Sequence, residues 1–140
     1  MALPSVGGGY QVGDGNVNEL QIGYMSDVQT ATATATLTTA QVLGGVLVGS
    51  PSTTAATYTL PTGTALDAAL SNIKINSTFE WTVINLGTST GLITVAVGTG
   101  ITAVGNLVVP ITGSAAGVSG AALFRFRKTA ANTFTVYRVA

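Results

Sequence analysis

The closing stretch ALFRFRKTAANTFTVYRVA (residues 122–140) decides the fold class. Phe124 and Phe126 alternate with Arg125 and Arg127, so a pleated strand turns the rings to one side and the guanidiniums to the other. After the connection Lys128–Asn132, the run TFTVYRV is rich in β-branched and aromatic residues. Five connecting residues suit a hairpin. The same period of two recurs in FEWTVIN (79–85), where Phe79, Trp81 and Val83 share a face opposite Glu80 and Thr82. Trp81 is therefore expected in the core of a central strand.

Working outward, the remaining apolar runs predict strands at 41–48, 56–60, 78–85, 92–97, 107–112, 120–127 and 133–139. Turn signals separate them at 49–51, 86–88, 98–100 and 112–114. The low-complexity segment ATATATLTTA (31–40) also alternates. It reads either as a strand with Thr30, Thr32, Thr34, Thr36 and Thr38 on one face or as a linker entering one. One helix interrupts the pattern, in TGTALDAAL (62–70). Thr64 is its expected N-cap, Asp67 faces the positive end of the dipole, and Leu66 and Leu70 share a side. The expected fold is all-β: a β-sandwich, with a jelly roll among its candidate forms and a barrel left open, carrying one short helix. Residues 1–28, Gly-rich and weakly periodic, are read as an extended N-terminal arm, and 29–140 as the β-sandwich domain.

Composition narrows the function. The 140 residues carry five Lys+Arg and five Asp+Glu, a net charge of zero, and only 7% are charged against roughly 25% in an ordinary soluble domain. Thr, Ser, Asn and Gly must keep the surface wet unless partners cover much of it, which leans towards a subunit of an assembly. Cys and His are both absent. Thiol nucleophiles, disulfides, His-based triads and the usual zinc sites are excluded with them. The opening MALPSVGGG has neither a basic n-region nor an apolar h-region, so no ordinary secretory signal is expected, and the apolar runs are too short to span a bilayer.

Three motifs invite chemistry. GDGNVNE (13–19) places Asp14, Asn16 and Asn18 at the first, third and fifth positions of a calcium loop. The obligatory glycine is replaced by Glu19, and the twelfth position is Met25, so the segment reads as an Asx-rich turn rather than a metal site. Gly7, Gly9 and Gly13 miss the dinucleotide spacing by one residue and follow no strand. Asp67 and Glu80 are the carboxylates a glycosidase would need, yet nothing in the sequence brings them together, and no enzyme is expected. Arg125, Arg127 and Lys128 form a small basic cluster, too sparse for nucleic acid, that reads either as a solvated strand face or as a contact for an acidic partner surface. Asn76-Ser77-Thr78 is a formal glycosylation sequon.

VGGGYQVGDGNVNE, LTTAQVLGGVLVGSP, YTLPTGTALDAAL and the closing WTVINLG, ITVAVGTG and FRFRKTAANTFTVYRVA together resemble the small decoration (cement) and head structural proteins of tailed bacteriophages. The resemblance spans nearly the whole chain and lies in texture and segment order. It implies a compact β protomer, often a homotrimer, made in the host cytoplasm and placed on the virion surface. Its expected partners are the major capsid protein and further copies of itself, with no cofactor, nucleic acid or membrane. By position and composition, the expected capsid-contact residues of the arm are Tyr10, Asp14, Asn16, Asn18, Glu19, Leu20, Ile22 and Tyr24. Arg125, Arg127 and Lys128 are the candidate electrostatic contacts. A head-fibre or tail component that binds glycans is the alternative, with Tyr58, Trp81 and Tyr137 as its stacking aromatics.

Overall fold

The computed structural model describes residues 23–112 and 120–140. The chain is mostly β, in two mixed sheets. The first six strands are β1 (Gln29–Ala31), β2 (Ala35–Thr36), β3 (Val46–Gly49), β4 (Ala56–Thr59), β5 (Thr78–Asn85) and β6 (Ile93–Ala96). They are followed by β7 (Ile101–Val104), β8 (Val108–Val109), β9 (Ala121–Ala130) and β10 (Thr133–Arg138). Two short helices lie among them, α1 (Thr39–Leu43) and α2 (Gly63–Ala69). The larger sheet runs β1-β3-β5-β9-β10-β7 and the smaller β2-β4-β6-β8.

Successive strands from β1 to β6 alternate between the sheets, so β1, β3 and β5 are parallel neighbours in one sheet, and β2, β4 and β6 in the other. Parallel neighbours cannot be joined by a tight turn and need a long crossover. Here the crossover is the excursion through the opposite sheet, and the chain winds in two-strand coils. The first two returns to the larger sheet each carry a helix. Equivalent coil positions stack: Leu37 donates its N–H to Thr59 O and Leu60 donates to Ala96 O, both at 2.8 Å, and both leucines are buried. After β6 the pairing turns antiparallel at β6–β8, β5–β9 and β9–β10, while β7 joins β10 in parallel.

Local chemistry explains where the expectations and the structure part. The ATATATLTTA segment is not one strand: β1 pairs with β3, the chain turns at Thr32–Thr34, and β2 pairs with β4. An Ala/Thr alternation offers neither face enough apolar area to impose one register, so pairing partners decide. Residues 41–43, expected in a strand, belong to α1. Thr38 and Gln41 form a capping box: Thr38 Oγ1 accepts from Gln41 N at 3.3 Å, and Gln41 Oε1 accepts from Thr38 N at 2.9 Å. Gly45, at φ +85°, takes the chain out of the helix into β3. The N-cap of α2 is Thr62 rather than Thr64, its Oγ1 accepting from Ala65 N at 3.1 Å. The final hairpin turns over Ala131–Asn132 alone, with Asn132 at φ +57° and a register shift after Thr133.

One core cluster draws on both sheets. Leu47, Trp81, Val83, Phe124, Phe126 and Val136 come from the larger, and Tyr58, Ile93, Val95 and Val109 from the smaller. Each such side chain contributes about 1.5–3 kcal/mol through burial. Trp81 is fully buried, as expected, and its Nε1–H donates to Gln41 O at 2.9 Å. Phe79 stacks on Phe126 with ring centroids 4.7 Å apart. Asn85 is the one buried polar side chain among the described residues. Its Nδ2 donates to the carbonyls of Gly91 (2.9 Å), Val109 (3.1 Å) and Pro110 (3.2 Å), and its Oδ1 accepts from Gly87 N at 2.7 Å. It therefore ties the end of β5 to the small-sheet strand β8 and to the loop before β6.

Candidate functional site

The outer face of the larger sheet carries Arg125 and Arg127, two of the residues singled out for contact, together with Tyr137. The register sets Glu80 beside Arg125, which in turn lies beside Tyr137, next to Val104. A parallel line holds Thr78, Arg127, Thr135 and Thr102. Arg125 and Glu80 form an ion pair at 2.5 Å with both side chains about half exposed. Such a pair contributes at most about 1 kcal/mol to stability. Arg127 forks onto Asn76 Oδ1 through Nε at 3.1 Å and Nη2 at 2.6 Å. Asn76, the sequon residue, is exposed and sits at φ +74°, a conformation Asn tolerates better than most.

Lys128 is not part of this patch. Strand alternation puts it on the side of Phe124 and Phe126, where its ammonium pairs with Asp67 of α2 and donates to Ile73 O at 3.3 Å. The other Asp67 oxygen accepts from Asn132 N at 2.9 Å. Asp67 therefore clamps α2 to the β9–β10 hairpin instead of capping its own helix. The hydrogen bond from Lys128, then that from Asn132, holds its carboxyl below the usual carboxylate range. Gly63, at the start of α2, lies so close to the same hairpin that a Cβ there would stand 2.2 Å from Asn132 O. Arg138 donates to the carbonyls of Ala140 (2.7 Å), Val108 (2.5 Å) and Asn106 (3.3 Å), with its guanidinium over the Phe124 ring.

Of the arm residues proposed for contact, only Tyr24 lies within the described region, and it is 98% exposed. Tyr10, Asp14, Asn16, Asn18, Glu19, Leu20 and Ile22 lie outside the described residues, as does the GDGNVNE segment. Two aromatics named for sugar stacking are unavailable to solvent. Trp81 is in the core, and Tyr58 is fully buried with its hydroxyl donating to Ala31 O at 2.9 Å. Burial pushes the Tyr58 phenol above its ordinary pKa. Tyr137 alone of the three reaches the surface, half-buried on the outer sheet face. Glu80 and Asp67, the carboxylates considered for hydrolysis, sit on different elements, each paired with its own cation.

A shallow hollow of about 340 Å³ lies between the β1–β2 and β3–β4 corners, lined by Thr32, Ala33, Thr34, Pro51, Thr54, Ala55 and Ala56. Its lining has hydroxyls and methyls but no ionisable group. Among the described residues no cluster of Asp and Glu has metal-binding spacing, and no helix is long and apolar enough to cross a membrane. Comparison of the chain with known protein families, curated proteins and solved structures finds no match in any of the three.

Proposed function

We propose that the chain is a virion structural protein: a capsid decoration (cement) protein that binds the outer surface of a phage head and stabilises it by bridging capsomers. The observation that carries this reading is the apolar stretch leading into β1. Tyr24 is 98%, Met25 54% and Val28 47% exposed, immediately before the edge strand of the larger sheet. Large apolar side chains held in water beside a folded domain act as anchors for a second surface. They continue the proposed contact arm, whose Leu20, Ile22 and Tyr24 alternate as a strand would. The major capsid protein is the partner this arm addresses, with further copies of the chain, as a homotrimer, supplying avidity.

Other features support the same reading. Arg125 and Lys128 are neutralised within the chain, Arg138 is spent on backbone carbonyls, and both strand- and helix-borne carboxylates are ion-paired. Charges used in this way brace a scaffold, and the function needs neither a catalytic step nor a cofactor. Two sheets sharing one core favour a β-sandwich as the finer description of the fold. The parallel coils from β1 to β6 depart from the antiparallel Greek keys of a jelly roll.

The test is attachment of the purified chain to heads that lack it. Tyr24→Ser with Met25→Ser, and separately removal of residues 1–22, should abolish attachment while the circular dichroism and unfolding of the β-domain stay as in the parent. Saturation of heads by the altered chains would refute an anchoring role for this segment.

A further inference from the structure

The outer face of the larger sheet is divided. Beyond the two polar lines already described, the register aligns Val46, Thr82 and Leu123 across β3, β5 and β9. Val139 extends that line, its N–H donating to Leu123 O at 2.9 Å. The next line holds Thr30, Val48, Ile84 and Ala121. None of these residues is charged, and six of the eight are apolar. They alternate with core residues Leu47, Trp81, Val83 and Ala122, so they occupy the face turned away from the core.

This is not the pattern of a sheet face built for water. A solvated face alternates with the core as polar against apolar, whereas VLV in β3 and VI in β5 are apolar on both sides, the signature of strands covered twice. Val46, Val48, Ile84 and Leu123 are half-buried, and Val139 is 48% exposed.

We infer that this face is covered by a second copy of the chain, an inference that rests on the self-association in the reading above and locates it. Six strands at ~4.8 Å spacing and about six residues of ~3.3 Å give a face of nearly 600 Å² in projection. A specific interface needs about 500 Å² per partner, so the face suffices. Its central ions are already matched, because Glu80 and Arg125 enter the contact as a pair, and the remaining cation, Arg127 on the neutral Asn76, stands on the outermost polar line, where the rim of a contact stays wet. A chain of zero net charge has no long-range repulsion to keep two copies apart, and a second copy is always at hand.

The experiment is the mass of the full chain by sedimentation equilibrium across the micromolar range, for the parent, Ile84→Lys, Leu123→Lys and the double variant Ile84→Thr/Leu123→Thr. The threonine pair keeps strand propensity and decides the matter should the lysine variants fail to fold. The parent is expected as a multimer, the lysine variants at single-chain mass with parental circular dichroism, and the threonine pair with association weakened at least ~10-fold. A monomeric parent overturns the inference, as do folded variants that associate unchanged. A monomeric parent whose face binds a hydrophobic dye only after residues 1–22 are removed would overturn it in favour of the arm. Attachment to heads is measured in parallel. A multimer that ignores heads defeats the decoration reading and leaves this inference standing, and a monomer that attaches does the reverse.

Discussion

Replacing Asn85 with Ala probes the joint between the sheets. The amide, itself fully buried, makes three donated contacts and one accepted one, of which only that to the Pro110 carbonyl is part-buried. Two protons shared among three carbonyls amount to about two net hydrogen bonds, and the bond from Gly87 N makes a third, at about 1 kcal/mol each. The orphaned carbonyls and N–H add part of their desolvation cost, so the expected loss is about 3–5 kcal/mol. Over 140 residues the unfolding entropy near the midpoint is ~0.3 kcal/mol/K, which converts the loss to a fall of roughly 10–17 °C in Tm. Asn85→Asp goes further, because it turns the donor end into an acceptor facing three carbonyl oxygens. Burial and those oxygens raise the folded pKa of the introduced carboxyl above its unfolded value of about 3.9. That variant is therefore least stable at neutral pH and recovers as pH falls and the carboxyl takes up a proton. Urea unfolding of both variants at neutral pH and near pH 4 is the assay. A loss below ~1 kcal/mol for Asn85→Ala, or equal stability of the two variants at pH 7, would refute Asn85 as the tie between sheets.

Other substitutions test separate parts of the structure. The Asp67 pKa is lowered by Lys128 and Asn132, so its contribution is present above the unfolded value of about 3.9 and is lost as pH falls through the lowered folded value. Asp67→Asn should flatten that acid limb in a Tm-versus-pH series, and an unchanged limb would assign it elsewhere. Gly63→Ala sets two effects against each other. Alanine gains at most ~1 kcal/mol of helix propensity. Its methyl would lie 2.2 Å from Asn132 O and 2.9 Å from Gly100 O, an overlap that should cost ~3 kcal/mol or more, so chemical denaturation should show net destabilisation. Glu80→Gln breaks a half-exposed pair and should change stability by no more than ~1 kcal/mol in the same assay.

The strands with a strong apolar face were readable in advance. Thr78–Asn85 has the bounds expected from FEWTVIN, and β4, β6, β9 and β10 fall within a few residues of their expected places. Parity along the strand also held more than was taken from it. The alternation that buries Trp81 and Val83 points Asn85 inward, and that of Phe124 and Phe126 takes Lys128 away from the arginines. The T-x-x-Q of Thr38–Gln41 was a visible helix-start signal in a run that otherwise reads as strand. What local pattern does not encode is the alternation of the first six strands between sheets. Those pairings join residues far apart in sequence, and Ala/Thr repeats are nearly neutral to register. Strand β7, four residues between Gly100 and Gly105 at positive φ, is likewise held by its pairing with β10 rather than by any period of its own. For the contact surface, Tyr24 is the one residue of the proposed arm that lies within the described region, and it is exposed, whereas the apolar lines across β3, β5 and β9 emerge only once the register is known.

The most direct test of the decoration reading is stoichiometry in purified virus particles, with this chain quantified against the major shell protein. The account predicts an amount comparable to the shell protein, removed when the particles are made with the Tyr24→Ser/Met25→Ser chain. A few copies per particle would point to a fibre or tail component instead, and absence from the particle would contradict the account outright.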